Sequence, residues 1–112
     1  MTPEEFIRVV DSIALRPAIY FGNRDGHLRE FGAFVLGADF AAGPLPSGSM
    51  LPSEFIDLVC SRLSDCDGQH PSWQARIENC SDSPADAWRK FTSLWSEYRG
   101  GSIPDPVVRN KL

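Results

Sequence analysis

The apolar residues of this chain recur three and four positions apart, which is the spacing of amphipathic helices and not the alternation of strands. The first such stretch follows a threonine, a proline and two glutamates, which are typical helix-start residues. Its inward face is predicted to consist of Phe6, Val9, Val10 and Ile13. Its opposite, polar face carries Glu4, Arg8 and Asp11. Pro17 should end this helix, because a proline disfavours helical backbone in the residue before it.

A connector, a second helix and a loop are predicted next. Residues 18–23 read as a short apolar connector, and residues 27–42 as a helix. The inward stripe of this second helix is predicted to be Leu28, Phe31, Val35 and Ala38. Gly32 and Gly37 each cost up to about 1 kcal/mol relative to alanine inside a helix, so we expect both to let a neighbouring element pack closely. Residues 44–52 are rich in proline, glycine and serine, and we expect a flexible loop there.

The second half of the chain predicts three further helices. One spans about residues 52–64, and Ser72 caps a short helix after it. Ser83 and Pro84 start the last helix, which the glycines at 100–101 end. The inward side chains of these helices are predicted to be Phe55, Ile56, Val59, Leu63, Trp73, Ile77, Cys80, Trp88, Phe91, Trp95 and Tyr98. Trp73, in the first turn of the short helix, should be only partly covered.

These elements predict an all-α fold, a compact bundle of four to five helices with a flexible loop after the second helix. A chain of 112 residues is near the commonest domain size. We expect residues 1–101 to form a single helical domain. Residues 102–112 contain two prolines and should form an extended or frayed tail.

Charge is unevenly distributed along the chain, whose formal net charge is −4. Residues 53–86 contain seven acidic and two basic residues, whereas residues 87–112 contain five basic and two acidic residues. An acidic segment repels nucleic acid and anionic lipid and attracts basic protein surfaces. We therefore expect a protein partner, and neither nucleic acid nor a membrane.

The cysteines and the apolar runs bear on localisation. Cys60, Cys66 and Cys80 are odd in number and irregularly spaced, which predicts reduced thiols in a cytosol. No apolar run approaches the roughly 18 residues of a membrane span, and the acidic start lacks the basic region of a secretion signal. The predicted location is the cytoplasm.

Residues suited to catalysis or metal binding are few. Cys60, Cys66, His70 and Cys80 could bind a metal, but the paired Cys-x2-Cys spacing of zinc sites is absent. The sequence also lacks a serine-elbow motif and a phosphate-binding glycine loop. We predict no metal, no cofactor, no catalytic residues and no enzymatic activity. A small hydrolase that uses Cys66 and His70 remains the enzymatic alternative.

Several short motifs follow one another along the chain. They are Arg16-Pro17-x-x-Tyr20-x-Gly22, Gly37-x-x-x-Ala41, Glu54-Phe55-Ile56 with Val59 and Arg62, Ser72-Trp73 with Ile77, and Ser83-x-x-x-Ala87-x-x-x-Phe91. In this order they resemble a family of small bacterial immunity proteins, which are often encoded beside contact-dependent or Rhs-type toxins. Ala18 stands where that family more commonly has glycine. The resemblance implies a toxin-neutralising or similar protein-binding role, and it implies no catalytic residues.

The leading hypothesis is an immunity protein that binds a cognate toxin domain. It would block the toxin either directly, by covering a basic active-site cleft with an acidic surface, or indirectly, by distorting that cleft. The alternative is a non-toxin cytoplasmic adaptor or structural subunit that recruits another protein through the same surface. Carboxylates can replace phosphate groups in a basic cleft, and an aromatic residue can anchor an interface. The candidate partner-binding residues are Asp57, Asp65, Asp67, Trp73, Asp82 and Asp86.

Overall fold

The computed structural model describes residues 2–22, 27–43, 49–63 and 72–101. Within these ranges the chain forms helices and no strands, which confirms the all-α prediction. The helices are α1 (Pro3–Leu15), α2 (Pro17–Phe21), α3 (Leu28–Ala42), α4 (Ser53–Arg62), α5 (Trp73–Asn79) and α6 (Pro84–Tyr98). None of these helices combines the length and the apolar content needed to cross a membrane. The predicted tail, residues 102–112, lies outside the described residues.

The short helix α2 is the element that the hydrophobic pattern did not indicate. Pro17 occupies its first turn, where the missing N–H is no loss because that position has no partner within the helix. Gly22 ends α2 with a φ of +82°, a conformation that glycine adopts readily. The prediction of a connector at residues 18–23 is therefore wrong for residues 18–21, which are helical. This single turn raises the helix count above the predicted four to five.

Three helices begin at the capping residues that the sequence predicts. In α1 the Glu5 N–H donates to Thr2 Oγ1 at 3.1 Å, and the Thr2 N–H donates to Glu5 Oε1 at 2.8 Å. The backbone hydrogen bond from Thr2 lowers the pKa of Glu5, because it favours the charged carboxylate. Ser72 and Ser83 accept N–H groups at the starts of α5 and α6, each at 3.0 Å. Local sequence is sufficient to set these helix starts.

An aromatic cluster lies at the centre of the fold. The ring of Phe91 on α6 lies 4.7 Å from Phe31 on α3 and 5.7 Å from Phe55 on α4, measured between centroids. Trp95 lies 5.0 Å from Phe55, and all four side chains are fully buried. The aromatic spacing along α6 therefore positions this helix against both α3 and α4. The predicted core positions of Trp88 and Trp95 are confirmed.

A buried carboxylate joins α1 to the end of α6. Asp11 Oδ1 accepts the Trp95 Nε1–H at 2.8 Å and the Arg99 Nε–H at 3.1 Å, and Oδ2 accepts from Arg99 Nη2 at 3.1 Å. Asp11 is only 2% exposed, so its predicted place on the polar face of the helix is wrong. The end of α6 covers that flank of α1 and supplies the donors that a buried carboxylate requires.

The end of the predicted flexible loop is held in place. The Asp39 carboxylate of α3 accepts the Ser49 hydroxyl at 3.0 Å and the Met50 N–H at 2.6 Å. Met50 and Leu51 are buried in the core. Two buried apolar side chains and a carboxylate therefore anchor residues 49–51 of the predicted loop. Residues 44–48 lie outside the described ranges.

The two glycines of α3 have different surroundings. A Cβ atom at Gly32 would overlap the amide end of the flexible Gln74 side chain, so α5 lies close to α3 at this glycine. A Cβ atom at Gly37 would meet nothing within 4 Å. The prediction of close packing at Gly37 is therefore wrong within the described part of the chain.

Candidate partner-binding surface

A groove of about 790 Å³ lies between the start of α3 and the segment that joins α5 to α6. Its charged residues are Arg29 and Glu30 of α3, Glu78 of α5 and Asp82 of the joining segment. The described lining therefore contains three carboxylates and one guanidinium. The remaining lining residues are Leu28, Asn79, Ser81, Ser83, Pro84 and Ala87.

Packing between helices brings these acidic residues together from distant parts of the sequence. Near Gly32, α5 packs against α3, which places Glu78 beside the first turn of α3. There the Arg29 Nε atom lies 3.4 Å from Glu78 Oε2, with the Arg29 side chain 88% exposed. An ion pair so exposed restrains its partners little. Glu30 by itself is an ordinary first-turn acid, so no sequence pattern predicted that it would share a groove with Glu78.

Two of the predicted binding residues lie near this groove, and they differ in their surroundings. Asp82 is exposed and lines the groove. Asp86 Oδ2 accepts from Lys90 Nζ at 2.6 Å and from the Asp82 N–H at 3.0 Å, while Oδ1 accepts from Arg89 Nη2 at 3.1 Å. The Lys90 hydrogen bond is the main cause of a lowered pKa for Asp86. Asp86 thus stabilises the start of α6, and Asp82 is the better candidate for contacting a partner protein.

Asp57 and Trp73 do not line the groove. Asp57 is exposed on α4 and is not part of the groove lining. Trp73 is half-buried, with its ring centroid 5.9 Å from Phe31 and 6.0 Å from Phe91, so it packs against the core. Asp65 and Asp67 lie outside the described residues.

An exposed apolar surface on α3 is the feature that the hydrophobic pattern did not indicate. We call Ala33, Leu36, Gly37 and Phe40 the outer face of α3; all four are exposed, Leu36 to 72% and Phe40 to 90%. Between residues 31 and 42 the sequence contains one charge, Asp39, which binds Ser49 and Met50. A helix that is apolar on all sides is normally covered on all sides. This lack of charge is the sequence signal that could have revealed the surface.

The cysteines depart from the sequence prediction. Cys60 is an exposed free thiol, but Cys80 is disulfide-bonded. The structure therefore departs from the predicted reduced thiol at Cys80. Cys66 and His70, the residues of the hydrolase alternative, lie outside the described residues. Where the chain is described, no three His, Cys, Asp or Glu side chains are placed to hold a metal ion.

Comparisons of the chain with protein-family models, curated proteins and solved structures find no match. The roles of the acidic groove and of the outer face of α3 are therefore inferred from the chemistry of their own residues.

Proposed function

We propose that this chain is an immunity protein that binds a bacterial toxin domain through the acidic groove of Glu30, Glu78 and Asp82. The observation that carries the proposal is the gathering of three carboxylates and one guanidinium in one surface groove. The order of the short motifs, which resembles that of small immunity proteins, supports the class of partner. The chain would act by binding, with no catalytic step of its own.

Charge complementarity explains how such a groove would inhibit an enzyme. Nucleases bind phosphate with lysine and arginine side chains. Lysine and arginine side chains at the rim of such a cleft can enter an acidic groove on another protein. Once they are paired with the carboxylates, they no longer bind the phosphates of the substrate. Opposite charges also speed the encounter of the two proteins, which favours capture of a toxin before it acts.

Gene deletion tests the toxin-neutralising role itself. We expect loss of this gene to be tolerated only when the neighbouring toxin gene is also disrupted, because an unbound toxin would kill its own cell. The measurement is the number of viable transformants in the two backgrounds. A viable deletion beside an active toxin gene contradicts immunity and favours the non-toxin adaptor.

Charge reversal tests the groove as the binding surface. We expect Asp82→Lys to slow association with the toxin domain about fivefold at low salt and to weaken its salt dependence, because it removes attraction at the groove. The matched control is Asp57→Lys, which changes the net charge equally at an exposed site outside the groove. Association rates are measured by stopped flow at about 0.05 and 0.5 M salt. Equal slowing by both variants would show that overall charge, and not the groove, steers the toxin.

The redox state of Cys80 tests the proposed cytoplasmic location. Cytosolic thiol systems keep most cysteines reduced, so we expect Cys80 to be a free thiol in growing cells although it is disulfide-bonded in the structure. Cells are quenched with acid and alkylated with a maleimide, and labelling is read by mass spectrometry. The exposed thiol of Cys60 is the internal control for complete labelling. A Cys80 that labels only after reduction contradicts the cytoplasm as the location.

A further inference from the structure

The outer face of α3 is left uncovered by the described part of the chain. Phe40 is 90% exposed and Leu36 is 72% exposed, and they lie four residues apart on the same side of the helix. Large contiguous apolar patches are uncommon on monomeric proteins and often mark interaction surfaces. We propose that the outer face of α3 binds the same face of a second copy, forming a two-fold symmetric dimer with antiparallel α3 helices.

The order of large and small residues on the outer face suits pairing with itself. If the two-fold axis passes between Leu36 and Gly37, Leu36 of each copy faces Gly37 of the other, and Phe40 faces Ala33. Each large side chain then packs on a small one, and symmetry forms each contact twice. No residue of the outer face is charged, so no charge is brought against its own copy at the axis.

Gly37 has no role inside the described chain that explains a glycine. A Cβ atom at this position would meet nothing within 4 Å, and its backbone is ordinary helix. Glycine weakens a helix relative to alanine, so the monomer loses helix stability there without gaining closer packing. A second helix that crosses α3 at Gly37 would pack more closely on α3, because small residues let two helix axes approach closely.

The charges at the two ends of α3 favour the antiparallel direction. Arg29 in the first turn has an 88% exposed side chain that is only loosely paired with Glu78, while Glu30, the acidic residue of the same turn, is half-buried. The last turn of α3 contains no basic residue, and the carbonyl groups at that end carry partial negative charge. In the antiparallel dimer, Arg29 of each copy lies beside the carboxyl end of the other copy's α3. A parallel pair would instead bring the two arginines together.

The test measures the molar mass of the purified chain alone by light scattering and sedimentation equilibrium. We expect a mass twice the monomer value of 12.4 kDa. Phe40→Glu places a charge in the interface, and Gly37→Leu blocks the approach of the helices without a clash inside the chain. Each should raise the dissociation constant at least about thirtyfold. Ile19→Glu is the matched control, because Ile19 on α2 is as exposed as Leu36, at 72%, and it should leave the dimer intact.

Three results would overturn the proposal. They are a wild-type chain that remains monomeric at about 100 μM, a dimer that both α3 variants leave unchanged, and a dimer that Ile19→Glu disrupts as strongly as Phe40→Glu. Far-ultraviolet circular dichroism establishes that each variant is folded before its mass is interpreted. A monomeric chain whose α3 variants lose the toxin would assign the outer face to the toxin instead. Since no toxin is present in the mass measurements, their outcome is independent of the proposed immunity function.

Discussion

Replacing Phe91 with alanine is expected to lower the free energy of unfolding by about 4 kcal/mol, which is among the largest effects of any single change in this chain. Phe91 is fully buried, and its ring lies 4.7 Å from Phe31 and 5.1 Å from Trp88. Its loss would leave a cavity between α3, α4 and α6 that surrounding rings cannot fill without leaving their preferred rotamers. Urea unfolding followed by circular dichroism gives the change in free energy.

Phe40→Ala is the control for the Phe91 variant, because it makes the same chemical change at a side chain that is 90% exposed. At a protein concentration low enough to keep the chain monomeric, its effect should stay within about 0.5 kcal/mol. Similar losses for the two variants would mean that the aromatic cluster is not the centre of the core. A small loss of unfolding free energy in the Phe91 variant, whatever the result for Phe40, would also place the centre of the core elsewhere.

Replacing Asp11 with alanine is expected to cost about 3 kcal/mol, which lowers the melting temperature by about 10–20 °C in a domain of this size. The substitution leaves the buried Trp95 indole N–H and the Arg99 guanidinium without their acceptor. The Arg99 side chain is 28% exposed and can recover some hydration, so the loss falls at the lower end of the range for a broken buried pair. Differential scanning calorimetry provides the measurement.

Asp57→Ala makes the same change at an exposed carboxylate and should have little effect. A double-mutant cycle between Asp11→Ala and Arg99→Met isolates the energy of this one ion pair. A coupling energy near zero, or an Asp11 loss no larger than that of Asp57, would contradict the buried hydrogen bonds between α1 and α6.

Local signals in the sequence were sufficient for most of the helices. Thr2, Ser72 and Ser83 set helix starts because a capping side chain binds an N–H group three residues away. The aromatic spacing along α6 predicted its buried face, since residues three and four apart share one side of a helix. Both kinds of signal depend only on neighbours in the chain. They were accurate without knowledge of the fold.

These local signals do not predict which residues from distant parts of the chain come into contact. Asp11 lies opposite the most apolar stripe of its own helix, yet the end of α6 covers it and supplies three hydrogen bonds. Glu30, Glu78 and Asp82 meet at one groove because α5 packs over Gly32, and no pattern in the sequence brings them together. The predicted acidic stretch contributed Glu78 and Asp82 to this groove, while Asp86 is paired within α6.

The sequence by itself determined that this chain is helical, where α1, α5 and α6 begin, and which face of α6 is buried. Hydrogen bonds and side-chain contacts within a turn decide those features, so a short window of residues contains the information. Only the tertiary structure decided which polar residues are buried, which carboxylates share a groove and which apolar face of α3 remains exposed. Those features depend on which helices touch, because burial and charge are properties of the packed surface and not of any one segment.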